Sequence, residues 1–296
     1  MNDYELLENY DVKKLSAVKI GGTIKYLYLI NNINGLKKVL KIIKENNYDY
    51  YIIGGCTKIL FPDVFMRECL IKLNNSYIKE TKTHVIVGVG QSLKKFSSYM
   101  IARGYLGFSG LISIPGDVGG AIVNNAGAFG DEISDYLDFV KVYENGKIKT
   151  LYKSDLEFSY RCSYFKRSSC IIFEAHFKKI KGNKEEIIKK AKENVNKRFK
   201  TQPHNILTLG STFKNTPTTK IAQVLDELGL RGYEGNLVKI SNVHANFLQN
   251  VANCPQKNFL NILVILRSVV YNNLKYLPEL EIVVLRWWEN EWLWRW

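Results

Sequence analysis

The stretch SIPGDVGGAIVNNAGAFGDEISD, residues 113–135, crowds five glycines and an Asn-Asn pair into twenty-three positions. Glycine loses more conformational freedom on folding than any other residue and packs no side chain. Such density is tolerated where the backbone turns sharply or must approach something closely. A second glycine-bearing loop, IIGGCTKILF at residues 52–61, follows the strand-like start YYII. Neither loop supplies the GxGxxG of a dinucleotide-binding strand–turn–helix, and GVGQSL at residues 88–93 lacks the third glycine. The pattern fits a pyrophosphate held by backbone N–H groups in irregular loops, an arrangement that tolerates varied spacing but demands glycine. Tight packing of a Gly-Ala helix on a sheet explains either loop alone; two such loops on successive lobes favour a cofactor between those lobes.

Periodicity supplies the frame around the loops. KYLYLI predicts a strand, Leu36, Val39, Leu40 and Ile43 mark an amphipathic helix, and YYII predicts a strand ending in Gly54 and Gly55. HVIVGVG predicts another strand and LKKFSSYMIARG a helix. FVKVYENGKIKTLY predicts a hairpin turning at Asn145 and Gly146. Ile187, Ile188, Ala191 and Val195 define a connecting helix, and Ile221, Val224, Leu225 and Leu228 another, stopped by Gly229. The division expected is a first lobe over residues 1–74, a second over 75–200 and a third over 201–296.

With 46% apolar and 12% aromatic residues the chain has ample core, while its richest apolar run, FLNILVILRSVV, is broken by Asn261 and Arg267. A cytoplasmic protein without stable membrane insertion is expected. The formal charge of +14 resides largely in stretches such as KEEIIKKAKENVNKRFK, where lysines alternate with aliphatics at helical spacing, so solvated helix faces are expected rather than nucleic-acid binding. Five cysteines without a CxxC pair and four scattered histidines favour neither a disulfide framework nor a metal site.

The segments SIPGDVGGAIVNNAGAFGDEI, FSYRCSYFK (158–166), LGSTFKN (209–215) and SNVHANFLQN (241–250) occur in the order and approximate spacing of the UDP-N-acetylenolpyruvoylglucosamine reductase (MurB) family, which the chain resembles from about residue 10 to residue 285. The resemblance implies an α+β chain: an FAD-binding fold of the vanillyl-alcohol-oxidase type, built of two lobes, followed by a C-terminal α+β substrate lobe. It implies noncovalent FAD, NADPH as co-substrate and a UDP-sugar substrate. The implied reaction is reduction of the enolpyruvyl ether of UDP-N-acetylenolpyruvoylglucosamine to UDP-N-acetylmuramate, a step of peptidoglycan precursor synthesis. The short interval between YRCSYF and LGSTF matches the compact subtype, without the tyrosine-bearing loop of longer members. A monomer is expected.

Carried over residue by residue, the resemblance implies flavin contacts from Gly54, Gly55, Cys56, Thr57 and Lys58, and from Ile114, Pro115, Gly116, Gly119, Gly120, Asn125, Ala126 and Gly127. Arg161 resembles the catalytic arginine, whose planar, permanently charged fork suits a carboxylate. Ser211 corresponds to the proton-donating serine and Glu281 to the last catalytic glutamate. Glu279 is a rival for that role, since strand alternation would put both on one face. Tyr160, Lys214 and Asn215 are candidate substrate contacts. His244 is as readily a histidine satisfied within a turn as a substrate contact.

The first flavin loop usually reads Gly-x-Gly-Ser-Asn, so Cys56 adds a Cβ where none is usual, Thr57 keeps the hydroxyl, and Lys58 offers charge to a pyrophosphate. Thr216 stands where proline is usual. The tail RWWENEWLWRW, residues 286–296, holds all five tryptophans and reads equally as a docking tail or a non-native terminus. Rival readings are a sugar oxidase of the same flavoprotein fold and an inactive flavin-binding or basic binding module.

Overall fold

The structure, a computed structural model, describes residues 2–285. The tryptophan-rich tail lies outside the described residues. The chain forms two compact units that are not contiguous in sequence: residues 2–8, 26–55 and 67–198 form the first, and residues 9–25, 56–66 and 199–285 the second.

A four-stranded sheet runs in the order Tyr4–Asp11, Thr23–Ile30, Met66–Leu73, Tyr50–Ile53, with the last two strands parallel. The helix Ile33–Glu45 follows the strand Thr23–Ile30. Asn32 starts it, its side chain accepting from the Gly35 N–H at 3.0 Å. Its buried stripe of Leu36, Val39 and Ile43 belongs to one core with Cys69 and Ile71 of the sheet. Gly35 is needed there, because a Cβ would lie 2.1 Å from the Asp3 carbonyl oxygen.

The first unit holds an antiparallel five-stranded sheet, ordered Lys147–Tyr152, Leu137–Glu144, Ile171–Lys178, His84–Gly88, Ile78–Glu80. The first pair is the hairpin expected from Asn145 and Gly146, and both turn residues have positive φ, as type I′ turns require. The helix Leu93–Ala102 adds Phe96, which meets Phe108 and Phe177 with ring centroids 5.3 and 4.9 Å away. Aromatic burial of this kind fixes the core beneath the glycine-rich stretch.

The second unit has its own core, in which Val18, Ile20 and Leu60 join Leu209, Phe213, Ile221, Leu225 and Leu263. Its sheet is ordered Thr208–Ser211, Phe247–Asn250, Val238–Ile240, Glu234–Gly235, all antiparallel. The apolar run broken by Asn261 and Arg267 is the helix Gln256–Leu274. No helix among the described residues is long and apolar enough to cross a membrane. The expected helix around Ile221 spans Ile221–Glu227 and ends before Gly229, which takes φ +71°. The strand Val283–Val284 pairs in parallel with Ile59–Leu60, fastening the end of the described chain beside the first glycine loop.

Candidate active site

In the first unit the two glycine loops meet. A Cβ on Gly55 would lie 2.8 Å from the Gly116 Cα, and one on Gly54 2.5 Å from Asp117 Oδ1. These glycines therefore serve a loop-to-loop approach that no side chain would permit. Lys72 ties the first loop down by donating to the Gly54 carbonyl at 2.9 Å. Pro115 is exposed and Ile114 partly buried against the core, and Gly116 turns the chain at φ +105°. Asp117 then caps the short helix Val118–Val123, accepting from the Gly120 N–H at 2.9 Å. Burial pushes the Asp117 carboxyl above its ordinary range, opposed by that N–H and by the Lys72 charge. Sequence reasoning passed over Asp117, although an aspartate three residues before a glycine at a helix start is a legible cap.

Gly119 and Gly120 differ. A Cβ on Gly119 would lie 3.1 Å from Val89 Cβ, whereas one on Gly120 would meet nothing within 4 Å except Asp117 Oδ1 at 3.1 Å. Packing accounts for Gly119 but leaves the backbone at Gly120 open to something else. A few residues on, Asn125 is buried with φ +41°; its Nδ2 donates to Glu132 Oε2 at 2.8 Å and to the Ser159 carbonyl at 3.0 Å. Its Oδ1 is buried with no hydrogen-bond partner among the described residues. A buried acceptor left unpaired costs roughly 1–3 kcal/mol and calls for a donor. An open glycine and an orphaned amide oxygen on one stretch fit a nucleotide cofactor held there.

Arg161 also belongs to the first unit. Ser159 and Cys162 exchange backbone hydrogen bonds at 3.1 Å in both directions, leaving Tyr160 and Arg161 as a two-residue turn. Arg161 has φ +53°, a conformation that favours glycine or asparagine. Its Nη2 donates to the Gly127 carbonyl at 2.8 Å, and its guanidinium carbon lies 4.8 Å from the centroid of the exposed Tyr160 ring. Ser163 Oγ adds a hydrogen bond to the Val123 carbonyl at 2.8 Å. The arginine turn is thus tied to Val123, Asn125 and Gly127. Ala126 lies between the last two, its N–H donating to the Ala121 carbonyl at 2.8 Å.

The second unit gathers Lys58, Ser211 and Glu281. Cys56 is buried with φ +52°, so the residue that replaces the usual glycine keeps a glycine-like backbone. All five cysteines are free thiols, and no cluster of metal-binding side chains occurs among the described residues. After the partly buried Thr57, Lys58 Nζ donates to the Ser211 carbonyl at 2.8 Å and lies 2.9 Å from Glu281 Oε1. Ser211 ends the strand Thr208–Ser211 after Gly210, which has φ +74°.

Glu279 and Glu281 part company. Leu280 makes an isolated bridge to Phe213, the chain bends at residues 281–282, and regular strand begins only at Val283. The alternation expected of a continuous strand is therefore lost. The Glu279 side chain is 66% exposed and pairs with Lys214 Nζ at 2.8 Å, while the Glu281 side chain is 14% exposed. Asn215 Oδ1 accepts from the Ile221 N–H at 3.1 Å, so both Lys214 and Asn215 have structural partners. His244 sits in a turn, its Nδ1 accepting from the Asn246 N–H at 3.3 Å.

Residues 24–152 match the model of an FAD binding domain, and residues 202–285 that of the UDP-N-acetylenolpyruvoylglucosamine reductase C-terminal domain. Enzymes of the latter name from Halalkalibacterium halodurans and a Thermotoga species are similar along nearly the whole chain. The first is 32% identical over 95% of this chain and 94% of its own, the second 33% over 93% and 91%. The crystal structure of the MurB reductase from Thermus caldophilus superposes with a TM-score of 0.81 at 28% identity, covering 96% of this chain and 99% of the other. The α+β architecture is accordingly the FAD-binding fold of the vanillyl-alcohol-oxidase type with a C-terminal α+β domain. Likeness of this extent in sequence and fold places the chain in the UDP-N-acetylenolpyruvoylglucosamine reductase family.

Proposed function

We propose that the chain reduces UDP-N-acetylenolpyruvoylglucosamine to UDP-N-acetylmuramate, using FAD and NADPH, in the synthesis of peptidoglycan precursors. One observation carries the choice: a flavin-binding match over residues 24–152 and a reductase-specific match over residues 202–285 stand in order on one chain. The flavin match alone would suit a sugar oxidase equally well. The reading takes the chain to act as a monomer in the cytoplasm.

FAD, when bound by the loops around Gly54–Gly55 and Gly116–Gly120 and by the Asn125 amide, would supply the hydride that NADPH provides. The chain's own residues handle the substrate's charge and the proton. Addition of hydride to the outer enolpyruvyl carbon drives electrons toward the attached carboxylate. Arg161, with its planar fork of donors, binds and stabilises that charge. Ser211 gives a proton to the carbon next to the carboxylate, completing the addition of two hydrogens across the double bond. Glu281 serves as the acidic group of the set, in preference to the exposed Glu279. Tyr160, Lys214 and Asn215 are assigned to the UDP-sugar, the last two at the expense of the contacts they make here.

The test is colour. The purified chain should be yellow, bleach with NADPH in the absence of air, and recover its colour when the enolpyruvyl substrate is added. Rapid recolouring by oxygen with no response to that substrate would favour the oxidase, and a chain without flavin the binding module.

A further inference from the structure

The contacts of Lys58 point to a role that the flavin loop does not account for. Its ammonium is within hydrogen-bond distance of both the Ser211 carbonyl and the Glu281 carboxylate, at 2.8 and 2.9 Å. We propose that Lys58 is a positioning residue for proton delivery, holding Glu281 and the Ser211 end of its strand in one fixed arrangement. The proposal rests on the reductase reading above.

Three features make this more than a surface ion pair. Side-chain exposure is 28% for Lys58 and 14% for Glu281, so solvent screens the pair less than a surface pair. The backbone fixes both partners independently of the side chains. The Val283 N–H donates to the Lys58 carbonyl at 2.7 Å, and the Glu281 N–H to the Thr212 carbonyl at 2.8 Å. Finally, a Cβ on Gly210 would lie 3.3 Å from Lys58 Nζ, so the residue before Ser211 is cut back where the ammonium enters. A lysine whose main task was to neutralise a pyrophosphate would not need two anchors in the unit that holds Ser211. A charged partner that orients a reacting group acts through preorganisation, and its loss is felt in the step that group serves.

The experiment compares Lys58→Met, Lys58→Arg, Glu281→Gln and the Lys58→Met/Glu281→Gln double variant in the full chain. Four quantities are measured: FAD affinity by fluorescence titration, flavin reduction by NADPH, reoxidation by the enolpyruvyl substrate, and the urea midpoint of unfolding. Lys58→Met should leave FAD affinity and flavin reduction within about threefold and slow reoxidation at least about tenfold. Lys58→Arg should restore most of that rate. The double variant should reoxidise no more slowly than Glu281→Gln alone, and its urea midpoint should shift by less than the sum of the single shifts. Loss of FAD affinity with intact reoxidation, or multiplying rate effects with additive midpoint shifts, would overturn the proposal. A wild-type chain that binds FAD yet is not reoxidised by substrate would overturn the reductase reading, while the urea cycle would still judge the Lys58–Glu281 pair.

Discussion

Arg161 Nη2 donates to the carbonyl of Gly127 at 2.8 Å, joining a strained turn to the glycine-rich stretch 34 residues earlier. A non-glycine residue in the left-handed region costs roughly 1–2 kcal/mol, and positions that keep such a cost are often functional. Arg161→Gly would relieve the strain while losing the hydrogen bond, two effects of opposite sign and similar size. Its stability to urea should stay within about 1–2 kcal/mol of wild type, and turnover should be all but abolished. Arg161→Lys, which keeps charge but loses the fork, should cut turnover roughly 100-fold with flavin reduction by NADPH near normal. Loss of flavin reduction in the lysine variant would make Arg161 a structural residue.

Gly120 offers a test of the flavin site that is separate from folding. A Cβ there meets only the Asp117 cap, and alanine in a helix is favoured over glycine by about 1 kcal/mol. That cap oxygen, 3.1 Å from the added Cβ, must give by a few tenths of an ångström, which opposes the helix preference for alanine, so Gly120→Ala should stay within about 1 kcal/mol of wild type and Gly120→Leu should still fold. Flavin affinity, followed by absorbance after gel filtration, should fall in the first variant and vanish in the second. Full yellow colour in Gly120→Leu would remove this backbone from the cofactor site.

The two C-terminal glutamates should behave differently. Glu279→Gln breaks an exposed pair with Lys214, of a kind worth about 0–1 kcal/mol, and should leave turnover within about twofold. Glu281→Gln should slow reoxidation by the substrate at least tenfold or so while sparing flavin reduction. The reverse pattern would move the catalytic assignment to Glu279.

His244 gives a pH prediction. Burial, with the charge of Arg231, holds its pKa below the ordinary 6.5. The folded chain thus disfavours the protonated ring. The unfolded chain takes up its proton first, so the stability this residue contributes is complete above about 6.5 and is lost as pH falls below it. His244→Asn keeps an acceptor for the Asn246 N–H and cannot charge. Urea midpoints between roughly pH 7 and pH 5 should fall less in this variant than in wild type. Parallel curves would show that His244 does not contribute to the acid sensitivity.

Local pattern carried most elements into view. The buried stripe of Leu36, Val39 and Ile43 and the Asn145–Gly146 turn need only neighbours in sequence to be read. The shared face that alternation gives Glu279 and Glu281 presumes a continuous strand, whereas the chain bends at residues 281–282 before the strand Val283–Val284 begins. The partnership of Lys58 with Ser211 spans 153 residues and depends on tertiary packing, so no periodicity reports it. The glycines were legible as a demand for close approach, but not as two demands. Gly54 and Gly55 answer to the neighbouring loop, and Gly120 to space left open.

The carbonyl of Ser211 is held by Lys58 Nζ at 2.8 Å, fixing the backbone that carries the hydroxyl. The hydroxyl is assigned a single step, donation of a proton to the carbon beside the carboxylate. Serine is a weak acid in water, but the species formed by hydride addition is strongly basic, so a well-placed neutral donor suffices. Ser211→Ala should bind FAD and be reduced by NADPH as wild type. Reoxidation by the enolpyruvyl substrate should slow by several orders of magnitude, far beyond the factor of about 5–10 that an ordinary hydrogen bond of ~1 kcal/mol would explain. Ser211→Cys should recover part of the rate, since a thiol in that place also yields a proton. Rapid mixing separates the two half-reactions. Normal reoxidation in Ser211→Ala would strip Ser211 of the proton and leave it as the end of its strand.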